Sequence, residues 1–243
     1  MENAVYVGLS QQMALKRSLD ITANNLANMN TTAFKAASPI FEEYLSDTPG
    51  TADTAEVSFV QDYGIYQDLT EGSIAGTNRP LDFAISGDGF FTVQTDEGLR
   101  YTRNGTFKLD ADGYVITSNG DFLVDESNKT IQLDLENPDI EVAADGTVNL
   151  GVEDTQKIQL ISFDNMQLLK NVGNGYYVLG DAKARPAENA SILQGSLENS
   201  NVNSILEMTS MIEILRAYEA TQKLLDAQNE MMTKAIDILP VVN

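Results

Sequence analysis

The chain has 243 residues, enough to bury a sizeable core and to hold one or two domains. It carries 36 acidic residues against 15 basic ones, a formal net charge of −21, which excludes the clustered Lys and Arg that nucleic acid or an anionic membrane surface requires. Cysteine and histidine are both absent, which excludes a disulfide framework, a thiolate metal site and every His-based catalytic arrangement.

At the start of the chain, Glu2 occupies the place of a basic n-region and "AVYV" is too short for the apolar core of a cleavable signal. No apolar run approaches the ~20 residues that span a bilayer, so no direct membrane span is expected. From Asn3 to about Met29 there is no proline and one glycine, Gly8. On a 3.6-residue wheel Val5, Leu9, Met13, Leu15, Leu19, Ala23, Leu26 and Ala27 share one broad arc, which predicts an amphipathic helix. Gln12, Lys16 and Asp20 intrude into that arc, so it is wide enough to meet two neighbours rather than one.

The predicted helix ends in "ANNLANMNTTAFK", residues 23 to 35, with four asparagines crowded into seven residues. Asparagine is a mediocre helix former because its side chain competes for backbone hydrogen bonds. Two readings stand. Asn24 to Asn30 terminate the helix before an extended segment at Thr31-Thr32. Alternatively, Asn24 and Asn28 present amides from one face and Asn25 from the other, satisfying backbone groups in a packed interface that water does not reach.

Residues 35–80, with Pro39, Pro49 and the Thr/Ala/Asp-rich "DTPGTADTAE", read as an extended connector carrying some strand. Residues 81–199 read as β-rich: "LDFAISGDG", "FFTVQTDEG", "LRYTRNG", "TFKLDADG" and "YVITSNG" alternate β-branched and aromatic runs with glycines at 89, 98, 105, 113 and 120, the spacing of antiparallel hairpins. "TIQLDL", "IEVAADGTVNLG", "KIQLISF" and "GYYVLG" continue the series. "LDADGYV" lacks the ligand spacing of a calcium loop, since its glycine stands at position 4 and no Glu follows at position 12. It reads as an Asp-Gly turn, as does "AADGTV". "SGDGFF" has neither the Lys nor the following helix of a phosphate cradle. Paired carboxylates for glycoside hydrolysis remain open among 36 acids, although most acids sit beside glycines or on strands as solvated turn residues do. No catalytic, metal or cofactor residues are assigned.

After the turn-rich "GSLENSNVN", a helix is expected to start between Asn201 and Ser204, where Ser and Asn cap free amides. A heptad places Met208, Met211, Leu215, Tyr218, Gln222, Leu225, Asn229, Met232, Ile236 and Leu239 at a and d, and Pro240 stops it. Gln222 and Asn229 are the polar exceptions. Polar seam residues select register and partner number, which favours the interface reading of the asparagines. A seam this long exceeds an ordinary globular helix and favours a coiled coil. The predicted class is α+β: a discontinuous coiled-coil domain of N-terminal (1–34) and C-terminal (200–243) helices, with a connector (35–80) and an antiparallel β-rich domain (81–199) inserted between them. Residues 1–35 sum to +1, residues 202–243 to −3 and the residues between them to −19. That partition suits ends packed in an interior and a centre facing water.

"MENAVYVGLSQQMALKRSLDITANNLANMNTTAFK", "TNRPLDFAISGDGFFTV", "YTRNGTFKLDADGYVITSNG", "QGSLENSNVN" and "EMTSMIEILRAYEATQKLLDAQNEMMTKAIDIL" together resemble the flagellar basal-body rod and hook proteins over nearly the whole chain, in order. The opening is more similar to the proximal-rod branch than to the distal rod or hook. The resemblance implies a non-enzymatic subunit in the periplasmic rod of the bacterial basal body. It implies delivery by the flagellar type III export apparatus and helical assembly, with copies of itself and with proximal and distal rod proteins, around the export channel. It also implies torque transmission from motor to hook. A distal rod or hook-type protein and a peptidoglycan-acting glycosidase are the alternatives. Val5, Leu9, Leu15, Leu19 and Leu26 are expected to pack on the C-terminal seam and on adjacent subunits, with Asn24, Asn25 and Asn28 setting register and Phe34 as an anchor. One departure stands out: the family usually reads Thr-Thr-Gly-Phe-Lys, and Ala33 replaces the glycine. If the turn needs φ > 0, alanine carries a cost there.

Overall fold

The computed structural model describes residues 2–46, 57–133, 140–149, 156–187 and 189–238. Two long helices, α1 (Glu2–Ala27) and α2 (Ser204–Ile238), flank a β-rich region, an α+β chain. The chain divides into two compact units: Met1–Ala27, Ala37–Asp68 and Val202–Asn243 form a helical unit, and Asn28–Ala36 with Leu69–Asn201 form a β-rich unit.

In the helical unit, α1 and α2 lie side by side and antiparallel. Gly8 faces Leu225 so closely that a Cβ at Gly8 would lie 2.8 Å from Leu225 Cδ2. One turn further along α1, the Gln12 amide donates to Gln222. Asn203 begins α2 as expected, its side-chain oxygen accepting from the N–H groups of Ile205 (3.1 Å) and Leu206 (3.3 Å). Beside α1 runs a two-stranded ribbon, β1 (Ala37–Ser46) and β2 (Val57–Gln67), paired antiparallel from Ala37↔Gln67 to Ser46↔Val57. A bulge leaves Tyr63 unopposed between Gly64, which faces Ile40, and Asp62, which faces Phe41. Among the described residues, the stretch read as a connector with some strand carries this ribbon and the short strand Ile74–Gly76. Its signal was weak because Ile40, Tyr44, Val60, Tyr63, Ile65 and Tyr66 are all exposed, so no single buried face enforces a period of two.

The β-rich unit is built on an antiparallel sheet. Its main path runs Lys170–Gly173, Tyr176–Val178, Gly98–Thr102, Phe90–Thr95, Phe122–Leu123, Val115–Thr117 and Phe107–Leu109, and Leu160–Phe163 adds to Phe90–Phe91 and carries Ala184–Pro186. Phe90 and Phe91 point to opposite faces, as alternation along a strand demands, and each seeds a core. Phe91 meets Phe107 edge-on at 5.4 Å among Ile85, Val93 and Leu123; Phe90 meets Phe163 and Tyr177, both at 5.5 Å. The predicted glycine turns divide by physical role. Gly98, Gly113 and Gly120 have φ of 107°, 86° and 96°, whereas Gly105 is required for close approach, since a Cβ there would lie 1.6 Å from the Phe83 carbonyl oxygen. In the Asp110 turn the carboxylate accepts from the amides of Asp112 (3.0 Å) and Tyr114 (2.8 Å). "GSLENSNVN", read as turn-rich, contributes one strand, Ser196–Glu198 against Ile74–Gly76, and just before it Ser191–Gln194 pairs with Phe83–Ser86.

Candidate assembly surface and a buried charge cluster

Along α2 the less exposed line passes through Met211, Ile214, Tyr218, Thr221, Leu225, Gln228 and Met232. Of the predicted heptad, Met211, Tyr218, Leu225 and Met232 lie on this line, and the members between them lie one residue to its side. Met208, Leu215, Gln222 and Asn229 are exposed; Ile214, Thr221 and Gln228 take the inner places. The sequence admits both seams because adjacent pairs such as Ile214-Leu215 are equally apolar, and steps of three and four are equally helical. The Thr221 hydroxyl donates back to the Ala217 carbonyl at 3.0 Å, while Gln222 beside it meets Gln12 of α1. The side chain of Ile236, and Leu239 entirely, lie outside the described residues.

On α1, Val5, Leu15, Leu19 and Leu26 are half-buried and Leu9 is exposed. Leu225, 8% exposed, and Ile21, 7%, are the buried hydrophobics of this unit among the described residues. Met13 and Ala14, with the stems of Lys16 and Arg17 and with Asp20, line a groove of about 400 Å³ whose other wall is Val60 and Asp62 of β2. Arg17 Nε reaches Asp62 at 3.2 Å, but both side chains are more than 40% exposed, so this pair contributes little.

The asparagines separate by role. Asn25 is 2% exposed and engages both backbone groups of Ala37: its Nδ2 donates to the Ala37 carbonyl (2.8 Å) and its Oδ1 accepts from the Ala37 amide (2.9 Å). It ties α1 to the first residue of β1 within the chain. Asn28, half-buried, accepts from the Thr31 hydroxyl through Oδ1 (3.1 Å) and from the Thr31 amide through its carbonyl (3.0 Å), closing the turn. Asn24 is exposed on the helix. Ala33 takes φ 56°, so the turn keeps the left-handed conformation that glycine would enter without strain. Phe34 is half-buried, and its amide donates to the Thr31 carbonyl at 3.2 Å.

Sequence reasoning missed a charge cluster buried in the β-rich unit. Lys35, Arg103 and Glu198 are 1%, 4% and 1% exposed. Lys35 Nζ donates to Glu198 Oε1 and to the Thr70 carbonyl, each at 2.5 Å. Glu198 Oε1 also accepts from the Gly72 amide at 2.9 Å, and Oε2 accepts from Arg103 Nε at 2.8 Å. Arg103 donates further to the Gly87 and Ile85 carbonyls (3.0 and 3.2 Å) and lies over the Phe90 ring. Burial lowers the Lys35 ammonium below its ordinary 10.5, opposed by the Glu198 carboxylate that it touches. The available signal was that "TTAFK", "YTRNG" and "QGSLENS" each carry one charge amid apolar or small residues. Nothing in their spacing shows that the three charges meet.

Three family models match this chain: "Flagella basal body rod protein" over residues 5–35, "Flagellar hook protein FlgE/F/G D1 domain" over 84–150, and "Flagellar basal body rod FlgEFG protein C-terminal" over 193–238. With the terminal helices and the β-rich body, they define an axial structural protein of the flagellum. It is 38% identical to the flagellar basal-body rod protein FlgF of Caulobacter vibrioides over 100% of both chains. It is 36% identical to FlgF of Mesorhizobium japonicum over 98% of each, and 31% identical to FlgG of Buchnera aphidicola subsp. Baizongia pistaciae over 95% of this chain and 97% of the relative. The chain belongs to the flagellar basal-body rod protein family, whose members are structural subunits of the rod rather than enzymes.

Proposed function

We propose that this chain is a proximal rod subunit whose helical unit is completed by its neighbours. α1 and α2 form an antiparallel coiled-coil pair that packs, with those of other copies and of other proximal and distal rod proteins, into a helical tube around the export channel. The β-rich unit forms an outer domain, and the assembled rod carries torque from motor to hook. Delivery is by the flagellar type III export apparatus. The full-length similarity to chains named FlgF, at 38%, 36% and 34% identity, favours the proximal rod. Chains named FlgG match at up to 31% among the relatives compared, which keeps the distal rod as the second reading.

One observation carries this reading. α2 leaves Ile205, Leu206, Met208, Ile212, Leu215, Leu224 and Met231 exposed, and α1 leaves Tyr6, Leu9 and Met13. Apolar rows of this extent on a soluble chain mark contact surfaces, and a helix gains most of its stability from packing such a face. Leu215, 41% exposed, is the decisive position because it faces away from the intramolecular seam. Leu215→Asp is expected to leave the purified protein's circular dichroism and thermal unfolding unchanged while abolishing swimming and recovery of the subunit in isolated basal bodies. Wild-type motility of that strain would refute the proposal.

A further inference from the structure

The buried cluster joins residues far apart in the chain. Glu198 lies 163 residues after Lys35 and 95 after Arg103. It sits near the end of the last segment of the β-rich unit, and Lys35 near the end of its first, Asn28–Ala36. The two segments are bonded to each other beyond the cluster. The Ala33 amide donates to the Glu198 carbonyl (2.8 Å), the Asn201 amide donates to the Phe34 carbonyl (3.3 Å), and Asn201 Oδ1 accepts from the Ala36 amide (2.8 Å). Around Glu198 the charges count unequally: two buried cations share one buried carboxylate, and both of its oxygens are engaged. Among the described residues, Glu71 is the other acid near Lys35, and it is exposed. Taking a charge out of water costs several kcal/mol unless a partner is in place. Before residue 198 arrives, Lys35 and Arg103 would have to be buried beside each other with no anion between them.

We propose that Glu198 is a completion latch: the β-rich unit closes only when the outgoing segment delivers this carboxylate between Lys35 and Arg103. Every strand of the main sheet precedes residue 187, yet a chain that emerges N-terminus first stays open until residue 198 is present. The latch makes folding of this unit a property of the nearly complete chain and keeps partial chains in an open form.

The test uses the full-length protein and amide hydrogen exchange in Phe90–Thr95 and in residues 33–36 and 196–201. Glu198→Gln keeps the shape and length of the side chain but removes the anion and turns one of its two accepting oxygens into a donor. It is expected to raise the opening equilibrium of these amides by about a hundredfold or more, and a smaller increase overturns the proposal. Lys35→Met leaves the Arg103–Glu198 pair balanced and is expected to raise opening by less than a tenth of the Glu198→Gln effect; an equal or larger effect overturns it. The triple variant Lys35→Met/Arg103→Met/Glu198→Met removes all three charges at once. It is expected to stay closed, since apolar replacement of a whole buried ion cluster is commonly tolerated. Should Glu198→Gln fail to fold, a closed triple variant supports the latch. An open triple variant shows that the site needs shape rather than charge balance, which refutes it.

Discussion

Among the described residues, nineteen of the twenty-one buried core hydrophobics belong to the β-rich unit, and seventeen of the twenty-three exposed large hydrophobics belong to the helical unit. The β-rich unit has folded its apolar surface inward on both faces of one sheet, with paired aromatics at 5.0 to 5.9 Å. The helical unit has two helices and a two-stranded ribbon, which among the described residues leave more large hydrophobic side chains exposed than they bury. A pair of helices and an isolated ribbon lack a third layer to close on. Under the proposed assembly, the difference teaches that one unit is finished by its own chain and the other by its neighbours.

Several substitutions would break or sharpen that contrast. The largest effect is expected from Phe91→Ala, which empties the centre of one β core. The β-rich unit should lose about 3–5 kcal/mol, read as a lowered urea midpoint of its transition. Leu225→Asp comes next. It places a charge against Gly8 at the centre of the helix pair and should reduce helical ellipticity by circular dichroism, while amide protection at Phe90–Thr95 is unchanged. Loss of both signals together would show that the two units are not energetically separate. Asn25→Ala removes two hydrogen bonds to Ala37 from a buried site, expected to cost about 2 kcal/mol, with amide exchange accelerated at Ala37 and along β1. Ala33→Gly relieves a left-handed alanine and should raise stability by about 1 kcal/mol, seen as a higher urea midpoint at unchanged slope.

The smallest effect concerns pH. Lys35 is held below 10.5 by burial, so over the interval between its lowered value and 10.5 the unfolded chain binds more protons than the folded one. Stability from this group therefore rises with pH through that interval and is lost as pH falls. Among the described residues, Glu198, Arg103 and Glu71 are the charged groups around it. The stability of the wild type relative to Lys35→Met should drift upward as pH is raised towards 10.5, measured by urea titration at several pH values. A flat or falling difference would show that Lys35 keeps its ordinary value.

Much of the fold was legible because its signals are local. The 3.6 period from Val5 to Leu26, the Asn203 cap, the Asp-Gly turn at Asp112-Gly113 and the Phe90-Phe91 doublet each act through residues a few positions away. The ribbon of β1 and β2 was only half legible because it has no buried face to impress a period on the sequence. Which of Ile214 and Leu215 is the less exposed was not legible, because the two are interchangeable by composition and only the facing helix distinguishes them.

By itself, the amino-acid sequence determined that both ends are amphipathic helices around a β-rich, strongly acidic centre, since helical and strand periods are written in neighbouring side chains. The tertiary structure alone decided that Asn25 clasps Ala37, that Leu225 rather than Leu215 faces inward, and that Lys35, Arg103 and Glu198 share one buried site. Those pairings depend on which distant segments come together. Burial and electrostatics act through space, and spacing along the chain does not record them.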